Sequence, residues 1–315
     1  MTISGKSRNK IHLEKSFKGV SKFILNHPLI FLKRAWKSLI GRTIGFKNRL
    51  LLFLAAKRYP QDRPLVKPVL VNNYQLFVLA NESLGRQLLT LHCFEKIDTD
   101  FLKSVIKKNW TCFDVGANIG YYTLLLANLA PKGKVYAFEP IPLSHYLLKA
   151  NLTLNNFTNV VANNIALGDK NEKATFVLPE DSGFASFRDT KRKIVKEKIT
   201  VSVQTLDSYV KHLKIKRIDF VKIDVEGAER LVLQGAKNIL EKIKPKILLI
   251  ELYDLNLNVY NESVESIVKF LRKYNYLPYK LEKDKLTSFL KEDYNDIHNV
   301  YFINEIFNLG NNPNI

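Results

Sequence analysis

The chain has 315 residues, of which 46% are hydrophobic and 11% aromatic, a composition that supplies a sizeable core and excludes wholesale disorder. Its only cysteines are Cys93 and Cys112, which excludes a disulfide framework and a cysteine-based zinc site. The net charge is +19, yet residues 1–60 hold fourteen Lys or Arg and the single acid Glu14 and so account for +13 of it. A basic excess confined to one segment argues against nucleic acid as the partner.

The first sixty residues form a basic extension. Between residues 17 and 58, apolar side chains alternate with Lys and Arg, which predicts amphipathic helices that lie at an anionic membrane surface or pack against protein. The longest apolar runs are far shorter than the ~20 residues of a membrane span, and no secretory signal is visible. We therefore predict a cytoplasmic protein that is peripheral at a membrane if the extension binds lipid.

After the extension, a hairpin is predicted at Val69–Leu79 with its turn at Asn72-Asn73, and residues 84–108 have a helical pattern. From residue 111 onward, strands and helices alternate, which predicts an α/β fold with a mostly parallel sheet between helices. A β-rich passage at 174–203 interrupts this alternation. The predicted strands are 111–115, 134–138, 160–164, 220–223, 246–251 and 299–303, and the predicted helices are 120–130, 143–154, 226–242 and 263–274.

The first strand of this alternation ends at an acid and a glycine-rich turn, with Asp114 followed by Gly116, Asn118 and Gly120. Open α/β sheets bind ligands beyond the carboxyl ends of their strands. The spacing is not the dinucleotide fingerprint, because Asn118 and Tyr121 stand where that motif requires glycine. An acid before the turn suits a cationic ligand better than a pyrophosphate, and S-adenosylmethionine, with its ammonium and sulfonium groups, is such a ligand.

The next two strand ends supply the rest of a nucleoside site. Glu139 follows the second strand about twenty residues after the glycine turn, where a carboxylate can bind ribose hydroxyls. Ala166 and Leu167 follow the third strand and can flank an adenine ring. We predict that these residues bind the cofactor together with Asp114, Gly116, Asn118 and Gly120.

Four short strings together resemble the FkbM family of S-adenosylmethionine-dependent methyltransferases: Asp-Val-Gly-Ala-Asn-Ile-Gly at 114–120, Phe-Glu-Pro at 138–140, Ala-Leu-Gly-Asp at 166–169 and Lys-Ile-Asp-Val-Glu-Gly-Ala-Glu at 222–229. The resemblance implies a class I methyltransferase domain at about 69–305, with a Rossmann-like sheet of seven strands whose inserted last strand is antiparallel. It also implies S-adenosyl-L-methionine as cofactor and a sugar, glycan or other small-molecule hydroxyl as acceptor. Glu95 and the segment Ser182–Ser186 are similar to further family features. Many relatives have a histidine close to the glutamate at 251, where this chain has Tyr253.

Three carboxylates are the candidates for acceptor chemistry. Alternation along the strand places Lys222 and Asp224 on one face, Glu226 follows, and Glu251 ends the neighbouring strand. Such a group can act as a general base, with Asp224 as the principal candidate, or hold a divalent cation; the sequence leaves this choice, and hence any metal, open. The alternative is that Asp224 has a structural role as the N-cap of a helix.

Three other functions remain as alternatives. A nucleic-acid methyltransferase accounts for the charge but lacks an Asn/Asp-Pro-Pro-Tyr run. An NAD-dependent oxidoreductase is disfavoured by Asn118 and Tyr121. A binding module that retains the cofactor pocket without catalysis is compatible with every motif.

Overall fold

A computed structural model describes residues 65–282 and 284–307, so the basic extension at 1–60 lies outside the described residues. The described part begins with strands β1 (Val66–Val71) and β2 (Tyr74–Leu79), which pair antiparallel. Asn72 and Asn73 form the turn between them with φ of 50° and 67°, the left-handed conformation that tight hairpin turns require and that Asn tolerates. The predicted hairpin is confirmed.

Two helices occupy the region predicted as one helical stretch. Helix α1 (Ser83–Leu91) ends at His92, and helix α2 (Lys96–Val105) begins after Glu95. Both flanking residues have left-handed backbones, with φ of 52° and 41°. The chain therefore turns between the helices, and Glu95 is brought to the wall of the cavity described below.

The remaining strands follow in chain order: β3 (Thr111–Val115), β4 (Lys134–Phe138), β5 (Val160–Asn163), β6 (Ala166–Leu167), β7 (Glu172–Pro179), β8 (Val195–Gln204), β9 (Phe220–Ile223), β10 (Ile247–Glu251), β11 (Tyr276–Glu282), β12 (Lys285–Ser288) and β13 (Asn299–Asn304).

Eight of these strands form the central sheet, in the order β12-β11-β13-β10-β9-β3-β4-β5. Strands β10, β9, β3, β4 and β5 run parallel. Strand β13 is inserted between β10 and β11 and runs antiparallel to both. This is the seven-stranded arrangement expected of a class I methyltransferase domain. Neither β11 nor the edge strand β12 was among the strands predicted from the sequence.

Helices cover both faces of the sheet: α3 (Tyr121–Leu129), α4 (Pro142–Leu154), α5 (Leu206–His212), α6 (Glu229–Gln234), α7 (Asp254–Leu257) and α8 (Val264–Arg272). Alternate residues along each strand enter different cores, because side chains of a strand point to opposite faces. Thus Tyr301 packs in one core and its neighbour Phe302 in the other. Within the described ranges, every helix is too short or too polar to cross a lipid bilayer.

The helix predicted over 226–242 is interrupted. Glu226 and Gly227 have φ of 55° and 103°, so the chain makes a turn before α6 begins, and a π-helical turn at Ile239–Ile243 follows. The β-rich passage forms a separate three-stranded sheet in the order β6-β8-β7. A 3₁₀ turn at Ser182–Phe184 lies between β7 and β8.

Candidate active site

A cavity of about 220 Å³ opens at the carboxyl ends of the parallel strands. Nine of the ten predicted site residues line this cavity: Asp114, Gly116, Asn118, Glu139, Ala166, Leu167, Asp224, Glu226 and Glu251. Parallel strands deliver their carboxyl ends to one edge of the sheet, so residues far apart in sequence meet there.

The turn after β3 is compact because its glycine has no side chain. Gly116 has φ of +83°, and a Cβ atom added there would lie only 1.8 Å from the backbone oxygen of Asp224. Asn118 also has a left-handed backbone, with φ of 48°, and its Oδ1 accepts a hydrogen bond from the amide of Ile119 at 2.8 Å. Strand β9 and the glycine turn are therefore in direct backbone contact.

Gly120 is the predicted residue that does not line the cavity. It is the N-cap of α3 with φ of 96°, and a Cβ added to it would meet Leu148 Cδ1 at 2.5 Å. Its structural role is to let the chain enter α3 while packing closely on α4.

Asp114 presents an unsatisfied buried acceptor. Its Oδ2 accepts a hydrogen bond from Thr123 Oγ1 at 2.5 Å, whereas Oδ1 is buried without a hydrogen-bond partner among the described residues. Burial raises the pKa of this carboxyl. A buried acceptor without a donor is costly to keep, so Asp114 fits a site that receives a donor or a cation from a ligand.

Glu139 ties the second strand end to the glycine turn. Its Oε2 accepts from the amide of Asn118 and its Oε1 from the amide of Ile141, both at 2.8 Å. Burial raises its pKa to about 7. Each carboxylate oxygen has a second lone pair, so the carboxylate can also accept hydrogen bonds from a ligand hydroxyl.

On the β9 side of the same cavity, Asp224 forms an ion pair with Lys222, with 2.8 Å between Oδ2 and Nζ. Burial opposes ionisation of Asp224, but the ammonium group outweighs it and lowers the pKa of the carboxyl. Glu251 is hydrogen-bonded to Asp224, and burial together with that neighbouring charge raises the pKa of Glu251 well above its usual value. Of the two carboxyls, ionisation is therefore favoured at Asp224 and protonation at Glu251.

Glu226 is held by two donors. Arg192 Nη1 lies 2.7 Å and Asn256 Nδ2 lies 2.5 Å from its Oε2. Burial, followed by the charge of Asp224, raises the pKa of Glu226 to about 8.

The N-cap of α6 is Ala228, which makes no side-chain cap hydrogen bond, so Asp224 is not the cap of this helix. Glu229 Oε1 accepts from the amides of Val225 and Gly227, at 3.2 and 3.0 Å. Asp224 instead pairs with Lys222 on the cavity wall, which supports its candidacy for acceptor chemistry.

The three acidic side chains also meet the geometric requirement for a cation site. One oxygen of each of Asp224, Glu226 and Glu251 lies within 4.8 Å of the others. Hard divalent cations favour such oxygen donors. Here, however, Lys222 and Arg192 already contact two of the three carboxylates, so the cluster has much of its countercharge from the protein itself.

Several lining residues were absent from the predicted site. Glu95 accepts a hydrogen bond from Tyr122, and burial raises its pKa to about 7; the family resemblance was the signal for this residue. Arg192 enters from the β7–β8 connection and had no local signal. Tyr253, two residues after Glu251, packs edge-on against His298, with 4.7 Å between ring centroids.

A clasp closes the 3₁₀ turn over the cavity. Glu82 accepts hydrogen bonds from the amide and hydroxyl of Ser182, at 3.1 and 2.9 Å. Asp181 accepts in return from the amide and hydroxyl of Ser83, at 2.8 and 2.6 Å. The predicted Gly/Ser segment thus lines the cavity and is fixed to the start of α1.

Comparison with known proteins gives one family match. Residues 114–278, just over half of the chain, match the methyltransferase FkbM domain. A relative from Beauveria bassiana, "Methyltransferase 1", is 31% identical over 39% of this chain and 56% of its own length, so the match spans little more than half of that protein.

Two further relatives have more specific names. The "2-O-methyltransferase NoeI" of Sinorhizobium fredii is 24% identical over 47% of this chain and 66% of its own length. The "31-O-demethyl-FK506 methyltransferase FkbM" of Streptomyces tacrolimicus is 25% identical over 49% of this chain and 68% of its own length.

Proposed function

Since the chain belongs to the family of FkbM methyltransferase domains, which use S-adenosylmethionine, we propose that it methylates a hydroxyl oxygen of a small molecule or glycan. The observation that carries this proposal is the single cavity that joins the glycine turn to the Asp224–Lys222 pair. Two relatives whose names specify O-methylation support the choice of oxygen.

The residues at the glycine-turn end fit S-adenosylmethionine. The unpartnered Oδ1 of Asp114 suits a cationic donor, and Glu139 has lone pairs left for ribose hydroxyls. Ala166 and Leu167 offer the apolar surface that an adenine ring requires. Bound there, the cofactor supplies a methyl group activated by a positively charged sulfur.

The acceptor end supplies the proton chemistry. Lys222 keeps Asp224 ionised, and Asp224 takes the proton from the acceptor hydroxyl as its oxygen becomes the nucleophile. Glu251 carries the proton of the pair and donates a hydrogen bond to Asp224. Glu226, fixed by Arg192 and Asn256, orients the acceptor.

Two variants of the carboxyl pair test this proposal. Asp224→Asn removes the base and should lower turnover by about 10²-fold or more, measured as transfer of labelled methyl to acceptors in a lysate of the source organism. Glu251→Gln mimics the protonated carboxyl and should keep turnover within about tenfold. Equal activity of Asp224→Asn and wild type would remove Asp224 from the base role. Cofactor binding without turnover toward any acceptor would favour a binding module instead.

The basic extension suggests that the protein reaches its acceptor at a membrane surface. Apolar residues alternating with Lys and Arg between 17 and 58 suit an anionic membrane surface, where each basic residue contributes ~1 kcal/mol. A lipid-linked glycan would then be within reach. Sedimentation with phosphatidylglycerol vesicles should fall when Lys33, Arg34 and Lys37 are changed together to Gln in the full chain. Unchanged sedimentation would contradict the membrane role.

A further inference from the structure

Arg192 is a fixed cation in the wall of the cavity. Its guanidinium carbon lies 4.3 Å from the ring centroid of Phe184 and 4.9 Å from that of Tyr253. Nη1 donates to Glu226 at 2.7 Å, and 31% of the side chain remains exposed. Two aromatic rings and one carboxyl therefore hold the guanidinium in place. Because it is already fixed, a further hydrogen bond from it costs little conformational entropy.

The donors of this guanidinium are not used up. Among the described residues, the Arg192 side chain makes its hydrogen bond through Nη1 alone, although a guanidinium has five N–H donors in a fixed fork. The remaining N–H groups are available to a further acceptor inside the cavity, which Arg192 lines.

The segment around Arg192 is itself rich in basic residues. Residues 188–198 contain six basic residues and two acids, Asp189 and Glu197. Lys193 Nζ lies 5.0 Å from the centroid of the Phe184 ring. In the part of the chain that the structure describes, Lys191, Lys193, Lys196 and Lys198 form no ion pairs. Unpaired cations beside a cleft raise the local concentration of anions.

The cavity wall thus presents two kinds of charge. Asp114 and Glu139 lie at the glycine turn and suit a cation, whereas Arg192 lies beside Glu226 and has free donors. Since Arg192 lines the cavity, a group bound inside the cavity can pair with its free donors. This favours a substituent of the acceptor over the flat surface of a bilayer.

We propose that the acceptor carries an anionic group, a carboxylate, sulfate or phosphate, that Arg192 binds through its free donors beside the reacting hydroxyl. Guanidinium groups recognise such anions with two parallel hydrogen bonds. Lys193 and its neighbours draw the anion to the rim. This inference rests on the proposed function, since it names the chemical class of the acceptor for the same site.

Matched sugar probes test the inference on the full chain with S-adenosylhomocysteine present. D-glucose is the neutral probe, and D-glucuronate, D-glucose 6-sulfate and D-glucose 6-phosphate are its anionic counterparts. By titration in NMR or calorimetry, at least one anionic probe should bind about tenfold more tightly than glucose. Arg192→Gln should reduce that preference to about threefold or less, and Arg192→Lys should retain part of it because charge is kept but the fork is lost.

Lys237→Gln is the matched control, because Lys237 is exposed and outside the cavity; it should keep the preference. No preference for any anionic probe, or an equal loss in Lys237→Gln, would overturn the inference. So would Arg192-dependent binding of phosphatidylglycerol vesicles without a preference among the soluble probes, since the anion would then be a lipid headgroup. S-adenosylhomocysteine affinity is titrated separately, so a failure of the cofactor site is distinguished from a failure of anion recognition.

Discussion

The side chains of Lys222 and Asp224 form an ion pair within one strand, with 2.8 Å between Nζ and Oδ2. The lysine is buried, and its ammonium also stands 4.8 Å from the ring centroid of Tyr122. The pair lies at the end of β9, the strand that touches the glycine turn. Its electrostatics therefore decide which of the clustered carboxyls is ionised.

Replacing this lysine should move the pH dependence of turnover. Lys222→Met removes the ammonium group, so burial then raises the pKa of Asp224. The ionised base is therefore present only at higher pH. We expect the acidic limb of the kcat profile to shift upward by about one pH unit or more. Lys246→Met is the matched control, because it breaks the ion pair with buried Asp219 and should lower stability without this shift. A profile unchanged in Lys222→Met would contradict the assignment.

Removing the carboxylate of Glu139 should weaken cofactor binding. Glu139→Ala loses an acceptor for ribose hydroxyls and should reduce S-adenosylhomocysteine affinity by about 1.5–3 kcal/mol, as for hydrogen bonds to a charged group. The variant also loses two backbone hydrogen bonds, so its melting temperature must be measured beside the calorimetry. Exposed Glu241→Ala is the control. Wild-type affinity in a folded Glu139→Ala protein would exclude the ribose role.

The two glycines of the turn should differ in what they tolerate. A methyl group at Gly116 meets the backbone oxygen of Asp224, whereas one at Gly120 meets the flexible end of Leu148. Both positions carry the cost of a positive φ, about 1–3 kcal/mol. We expect Gly116→Ala to be the more destabilising in thermal unfolding and to impair cofactor binding. Gly120→Ala should keep cofactor affinity, and the reverse ranking would contradict the geometry.

The clasp should make stability depend on pH. Burial, followed by the charge of Asp181, raises the pKa of Glu82 to about 7, so folded protein retains a proton that the unfolded chain releases near pH 4.5. The contribution of Glu82 to the free energy of unfolding is complete below pH 4.5 and is lost as the pH rises through 7. Between pH 4 and pH 8, the free energy of unfolding of wild type should therefore fall by on the order of 3 kcal/mol relative to that of Glu82→Gln. Denaturant unfolding measures this, and Glu241→Gln should show no such gain.

Chelation should leave turnover unchanged. Lys222 and Arg192 already provide countercharge to the cluster of Asp224, Glu226 and Glu251, and a divalent cation would have to displace or repel them. Methyl transfer measured with and without EDTA tests this. Loss of activity that Mg²⁺ restores would show that the three carboxylates are metal ligands.

Most of the sheet and the glycine-turn end of the site were predictable from local sequence. An acid or a small residue after a short apolar strand identifies a strand end, and parallel topology then brings those ends together. Nine of ten predicted residues line one cavity for this reason. Gly120 is the exception because its positive φ serves helix entry, and a motif does not distinguish the two uses of glycine.

What the sequence did not predict depends on contacts between distant segments. Arg192 belongs to a connection whose path is set by packing against Phe184 and Tyr253. The break between α1 and α2 required left-handed backbones at His92 and Glu95, which helix periodicity does not reveal. The clasp between Glu82 and Ser182 joins residues a hundred positions apart.

The position of β13 has a consequence for biosynthesis. Because β13 lies between β10 and β11, the sheet has a gap in its middle until residues 299–304 have emerged from the ribosome. Tyr301 and Phe302 then complete both cores at once. Until that moment, β10 and β11 present unpaired edges, and non-local pairings of this kind form slowly. Closure of the described sheet therefore depends on β13, and chains stopped before it are exposed to aggregation.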